Sequence, residues 1–116
     1  MIRKHKVVFH LSSNEDSIHK SLIKQLHNLF KALEYIEVEV VTHGPGIDFL
    51  LIQSKLDNLL NELTRKDVRF LVCQNTLDDR KLDASSLLSF AEVIPASIAH
   101  IILRQEDGWS YIKAGF

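Results

Sequence analysis

Cysteine occurs once in this chain, at Cys73. That scarcity excludes an internal disulfide and a thiolate zinc site, and with no sign of export it points to a reducing cytoplasm. Glycine occurs four times and proline twice, so no Gly-rich or Pro-rich linker and no low-complexity tract is present. The phosphate-binding glycine loops are missing, as are the Gly-x-Ser-x-Gly elbow, the His-Glu-x-x-His metal motif and an evident carboxylate pair. Nucleotide-binding, hydrolase and metalloprotease readings therefore lack support, and neither a cofactor nor a metal is expected. No apolar run approaches the roughly 20 residues of a membrane span. The opening MIRKHKVVFHLSS has basic residues before an apolar run, but Val7 to Leu11 is shorter than the about 7–15 residues of a signal-peptide core. A net charge of −1 gives no broad basic surface for nucleic acid or anionic lipid.

What is present is the composition of a folded domain. Of 116 residues, 46% are hydrophobic and 25% charged, enough for one core and one domain spanning residues 1–116. Lys6 to Ser12 reads as a strand entering a polar loop. Ile18, Leu22, Leu26, Leu29, Phe30 and Leu33 then mark one face of a helix, with Ser12, Ser13 and Asn14 as cap candidates. Ile36, Val38 and Val40 alternate with Glu37, Glu39 and Val41, a strand ended by a turn at Gly44, Pro45 and Gly46. Ile52, Leu56, Leu59, Leu60 and Leu63 repeat the helical spacing, and VRFLVCQN is apolar on both faces, as in the middle of a parallel sheet. Short helical turns follow. AEVIP predicts a fourth strand, ASIAHIILRQEDG a helix using Ile98, Ile101, Ile102 and Gln105, and WSYIKAGF a last strand. This alternation predicts an α/β sandwich around a mostly parallel sheet.

In such a sheet, ligands gather at the carboxyl ends of the strands. Those ends here carry His10 with Ser12 and Ser13, Thr42 with His43 to Gly46, Cys73 with Gln74 to Thr76, and Pro95 to Ser97. Cys73 reads either as a small core hydrophobe or as a nucleophile beside a helix N-terminus, where positive dipole favours thiolate. Asn75 or Thr76 is the expected cap of that helix, with Asp78 or Asp79 completing a capping box. His10 and His43 read as polar strand-end residues or as proton acceptors for Cys73. His-Gly-Pro-Gly reads as a tight turn, or as a turn whose Gly44 and Gly46 backbone N–H groups face an anion beside the thiol. Trp109, Tyr111 and Phe116 read as core, with a subunit interface as the second reading.

KVVFHLSS, VEVVTHGPGIDFLL, VRFLVCQNTL and GWSYIKAGF, in register over nearly the whole chain, resemble the DsrE/DsrF-like family of small sulfur-relay-related proteins. The resemblance is to a single-domain branch carrying a Cys-x-Asn-Thr segment. It implies a flavodoxin-like, three-layer α/β/α sandwich with a five-stranded, mostly parallel sheet, assembled as a homotrimer or homohexamer. In the relay members a cysteine ending the third strand carries sulfur as a persulfide between donor and acceptor proteins, and Cys73 occupies the comparable position. His10, His43 and Asn75 match positions that recur in this branch. The segment after Cys73, Gln-Asn-Thr-Leu, departs from the small, alanine-rich stretch of the relay subunits. Two readings stay open. In one, Cys73 is a sulfurtransferase-like persulfide carrier, with His10 or His43 adjusting its protonation and the Asn75 and Thr76 amides stabilising the anion. In the other, the chain is a non-catalytic oligomeric protein that binds a small anionic ligand, and Cys73 is packing or pocket lining.

Overall fold

A computed structural model describes residues 4–115. Its β-branched runs form β1 (His5–Leu11), β2 (Ile36–Thr42), β3 (Val68–Cys73), β4 (Ala91–Ile94) and β5 (Ser110–Ala114). The segments between them are long enough for crossovers, and every strand pair is parallel. The five strands lie in the order β4-β3-β2-β1-β5. The chain thus steps outward from β1 to β4 and returns to place β5 on the free side of β1.

That reversal sets the layers. Right-handed crossovers put the connections between β1 and β4 on one face of the sheet and the β4–β5 connection on the other. On the first face, α1 (Asp16–Ala32), α2 (Asp57–Thr64) and α3 (Gln74–Arg80) contribute Leu22, Leu26, Leu60, Leu63 and Leu77 to the core. These pack against Val7, Phe9, Val38, Val40, Phe70 and Val72 of the strands. The opposite face is covered by α4 (Ser97–Glu106) alone, through Ile101, which packs with Trp109 on Val8, Val41 and Leu71. The result is the expected flavodoxin-like α/β/α sandwich.

Several local expectations are corrected. The segment after Gly44 does not end β2 in a simple turn; it winds into a 3-10 helix, Gly44–Leu50, with Pro45 in its first turn. Three residues per turn bring Ile47 and Leu50 to one side, and both are fully buried. The second α-helix is correspondingly shorter than its apolar spacing predicts, with Ile52 in a separate 3-10 turn and exposed like Leu59. α1 is capped one residue after the Ser12–Asn14 candidates: Glu15 is its N-cap without a side-chain bond, and Ser13 Oγ accepts the Glu15 N–H.

The largest correction concerns α4. Its apolar spacing predicts Ile98, Ile101 and Ile102 on the sheet, but only Ile101 is buried, and Ile98 and Ile102 are 54% and 51% exposed. The helix is rotated because Glu39, fully buried in the middle of β2, faces it. A buried carboxylate requires cationic partners. His100 Nε2 bonds Glu39 Oε1 at 2.6 Å, Arg104 Nε donates to Oε1 at 2.9 Å, and Arg104 Nη2 donates to Oε2 at 2.8 Å. Arg69 of β3 donates to the same Oε2 at 2.9 Å and is itself held by Glu92 of β4. Arg104 also stacks on Trp109, 4.8 Å from the ring centre. Trp109 is buried and Tyr111 half-buried on this face, whereas Phe116 lies outside the described residues.

Candidate functional site

Because every strand is parallel, all five carboxyl ends meet at one edge. The alternation of side chains then places His10 of β1, Cys73 of β3, and Tyr111 and Lys113 of β5 on the α4 face. β1, which contributes His10, also borders the reversal point between β1 and β5, the place where open α/β sheets bind ligands.

Cys73 ends β3 and is at the same time the N-cap of α3, a position the capping-box reading gives to Asn75 or Thr76. Its side chain is 4% exposed, so the exposed thiol that the carrier reading expects is instead tucked under the start of α4. There the backbone N–H of buried Ser97 donates to Cys73 Sγ at 3.4 Å. Two helices therefore begin at one sulfur. Burial pushes the thiol up, but hydrogen bonds from the Ser97 hydroxyl and amide and the Thr76 amide and hydroxyl outweigh it and hold Cys73 below its ordinary value. Asn75 is exposed on the outer side of α3.

Thr76 also joins this pocket to the glycine turn, since its Oγ1 accepts the Gly44 N–H at 2.9 Å. The Gly46 N–H donates to His43 O at 3.0 Å, so both turn amides are committed within the chain. Gly44 has φ +56°, open to glycine without strain, and Gly46 lies directly against the backbone of Leu11. The turn is built to hold His43 against β1.

His10 and His43 come together. Their rings stack at 4.6 Å between centres, and His10 Nε2 is hydrogen-bonded to His43 Nδ1 at 2.8 Å. The other ring nitrogen, His10 Nδ1, is hydrogen-bonded to the Tyr111 hydroxyl at 2.9 Å. Burial, then the neighbouring His43 and Lys113, lower His10 to about 4, and burial also lowers His43. Burial thus favours the neutral form of both imidazoles. Neither is hydrogen-bonded to Cys73; His43 lies just past the end of β2, as the N-cap of the 3-10 helix, and Cys73 ends the neighbouring strand β3. Among the described residues, no three His, Cys, Asp or Glu side chains cluster to hold a metal ion. The most capacious cavity described, about 640 Å³, lies at the opposite edge, lined by Lys4, Lys6, Ser110 and others, far from these groups.

Comparison with known proteins shows the family. The sequence profile described as the DsrE/DsrF-like family matches residues 5–114. The chain belongs to this family. A solved structure of a protein of unknown function from Methanobacterium thermoautotrophicum is 35% identical with a TM-score of 0.91, over 95% of this chain and 99% of that one. No curated protein matches the chain. Membership of the DsrE/DsrF-like family suggests sulfur relay in general. No helix among the described residues is long and apolar enough to cross a membrane.

Ser97 and Tyr111 are the participants that sequence reasoning did not assign to the site. Ser97 is legible only as part of the Pro95 to Ser97 segment after the fourth strand, since nothing local says that α4 points its first amide at a sulfur far back in the sequence. Tyr111 was read as core or interface because strand alternation gives its face but not its neighbour.

Proposed function

We propose that this protein carries sulfane sulfur as a persulfide on Cys73, in a reducing, cytoplasmic setting. The observation that supports it is the sulfur's surroundings: donors from Ser97 and Thr76, at the starts of two helices, stabilise negative charge on Sγ. The step balances simply. The Cys73 thiolate attacks the outer sulfur of a donor persulfide R–S–SH, a new S–S bond forms, and R–S⁻ leaves with the electron pair of the broken bond. The outer sulfur stays on Cys73 as –S–SH until an acceptor thiolate attacks it in the same way. Donor and acceptor are other thiol-bearing proteins in this reading, and the Thr76 and Ser97 groups, rather than Asn75, hold the anion. His10 and His43 adjust protonation from the neighbouring strands.

The test is the rate of Cys73 alkylation against pH, with Cys73→Ser as the blank, followed by mass measurement after polysulfide treatment. The expected profile has an inflection below the free-cysteine value of about 8.5, a rate above that of global unfolding, and an adduct of one sulfur atom. Labelling only on unfolding would reject the carrier reading. It would leave the small-ligand-binding alternative, which the near-complete burial of the thiol favours.

We further propose assembly into a homotrimer or homohexamer through the outer face of α4. Ile98, Ile102 and Leu103 stand there 54%, 51% and 59% exposed, a contiguous apolar stripe left by the rotation of the helix toward Glu39. Sedimentation velocity is expected to give three or six times the 13.3 kDa chain mass, and Ile102→Asp a smaller species.

A further inference from the structure

We propose that Tyr111, His10 and His43 form a charge-neutral proton relay whose working end is His43 Nε2, with Tyr111 as the positioning residue that couples it to water. Both nitrogens of His10 are engaged, one by the Tyr111 hydroxyl and one by His43 Nδ1. His43 Nε2 has no hydrogen-bond partner among the described residues. It is not a fully buried unsatisfied atom either, so it is free to exchange a proton with a neighbouring group.

A neutral imidazole has one donor and one acceptor nitrogen, so the two bonds cannot be oriented independently. If Tyr111 donates to His10 Nδ1, His10 Nε2–H must donate to His43 Nδ1, and His43 carries its proton on Nε2. If His10 Nδ1–H donates to the Tyr111 oxygen, His43 Nδ1–H donates to His10 Nε2, and His43 Nε2 is a bare lone pair. The two arrangements interconvert without charging either ring. A proton taken up at His43 Nε2 passes one from His43 Nδ1 to His10 Nε2 and one from His10 Nδ1 to the Tyr111 oxygen. Tyr111 then releases its original hydroxyl proton to water. The reverse sequence makes His43 Nε2 a donor.

This route suits the site because a charged intermediate does not. Burial, His43 across the hydrogen bond and Lys113 two residues along β5 from Tyr111 all oppose a positive His10. A relay that moves protons with no imidazolium avoids that cost, and Tyr111 is half-buried, with part of its surface in contact with water. The recipient assigned to it is Cys73, which ends the neighbouring strand β3 just as His43 follows the end of β2. Only that assignment of recipient rests on the persulfide reading.

Long-range ¹H–¹⁵N correlation of the imidazole nitrogens at neutral pH tests the relay without any sulfur chemistry. Wild type is expected to show both rings neutral with linked tautomers, the protonated fraction at His10 Nε2 matching that at His43 Nε2. Tyr111→Phe removes the partner of His10 Nδ1 and is expected to shift both tautomer ratios together and to slow Cys73 alkylation at neutral pH about tenfold or more. A doubly protonated His10, or tautomer ratios that do not match in wild type, overturns the relay, and this arm stands even if Tyr111→Phe fails to fold. So do ratios that Tyr111→Phe leaves unchanged. Linked tautomers in a protein that takes up no sulfur would uphold the relay and reject the persulfide reading. A sulfur adduct with unlinked tautomers would do the opposite.

Discussion

Glu39→Gln is expected to lower the unfolding free energy by about 3 kcal/mol, the low end for breaking a buried ion pair, and the melting temperature by roughly 12 °C. The cost comes from donors meeting donors. Each Glu39 oxygen accepts two hydrogen bonds, Oε1 from His100 and Arg104 and Oε2 from Arg69 and Arg104. A glutamine amide nitrogen in either place offers N–H to N–H, and the charge that neutralised the guanidinium groups is gone. Arg69 keeps Glu92 and is 43% exposed, so its share of the loss is reduced by solvent, which is why the low end applies. The effect reaches the site because Arg104 and His100 hold α4 in the rotation that aims Ser97 at Cys73. Alkylation of Cys73 in Glu39→Gln is therefore expected to move to higher pH, a change that loss of stability alone does not produce.

The same network sets a pH dependence. Burial pushes the Glu39 carboxyl up, but hydrogen bonds and charge from Arg104 and His100 outweigh it and leave it lowered. With the folded value below an unfolded one of about 4.3, the contribution is fully present above that pH and is lost as pH falls through the folded value. Glu92, lowered chiefly by its hydrogen bond from Arg69, acts in the same direction. Wild-type stability, measured by denaturant titration, is expected to fall already from about pH 6.5 downward, as the unfolded chain protonates His10 and His43, with a further loss below about pH 4.5 from the carboxylates that is less steep in Glu39→Gln. The slope does not vanish, because Glu92 remains.

Element order was legible because hydrophobic periodicity is local, and Cys73, His10 and His43 could be placed at one edge because parallel strands share their carboxyl ends. Strand order was not legible, since pairing is set by contacts far apart in sequence. Glu39 shows the limit most clearly. In IEVEVV it alternates with valines as a solvent-facing glutamate does, and only His100 and Arg104, about sixty residues later, turn that face into an interior. α4 misled for the complementary reason. It carries two apolar stripes, and periodicity alone cannot say which one a charged partner on the sheet will turn outward. Cys73 was correctly placed at a helix start, but its role as the cap itself and its second donor from Ser97 depend on β4 delivering α4 beside β3.

Gly46→Ala is expected to cost about 3 kcal/mol, the upper end for overpacking in a close-packed core, and to separate His43 from His10. Gly46 has an ordinary backbone conformation, so strain in φ is not the reason. A Cβ there would lie 2.1 Å from Leu11 O, 2.7 Å from Leu11 C and 2.9 Å from Ser12 Cα, all backbone atoms that no rotamer change can move. Relief requires the start of the 3-10 helix to back away from the end of β1. The His43 N–H bond to Leu11 O, 3.2 Å, spans that same boundary, so it lengthens first, and the 2.8 Å His10–His43 bond follows. Gly44→Ala supplies the control. Its Cβ would meet nothing within 4 Å, and its φ of +56° costs an alanine only about 1 kcal/mol. Denaturant unfolding of the two variants, with His43 tautomer ratios read in the folded state, separates close approach from conformational preference. Equal destabilisation, or an unperturbed His10–His43 pair in Gly46→Ala, would show that the turn does not position the histidines.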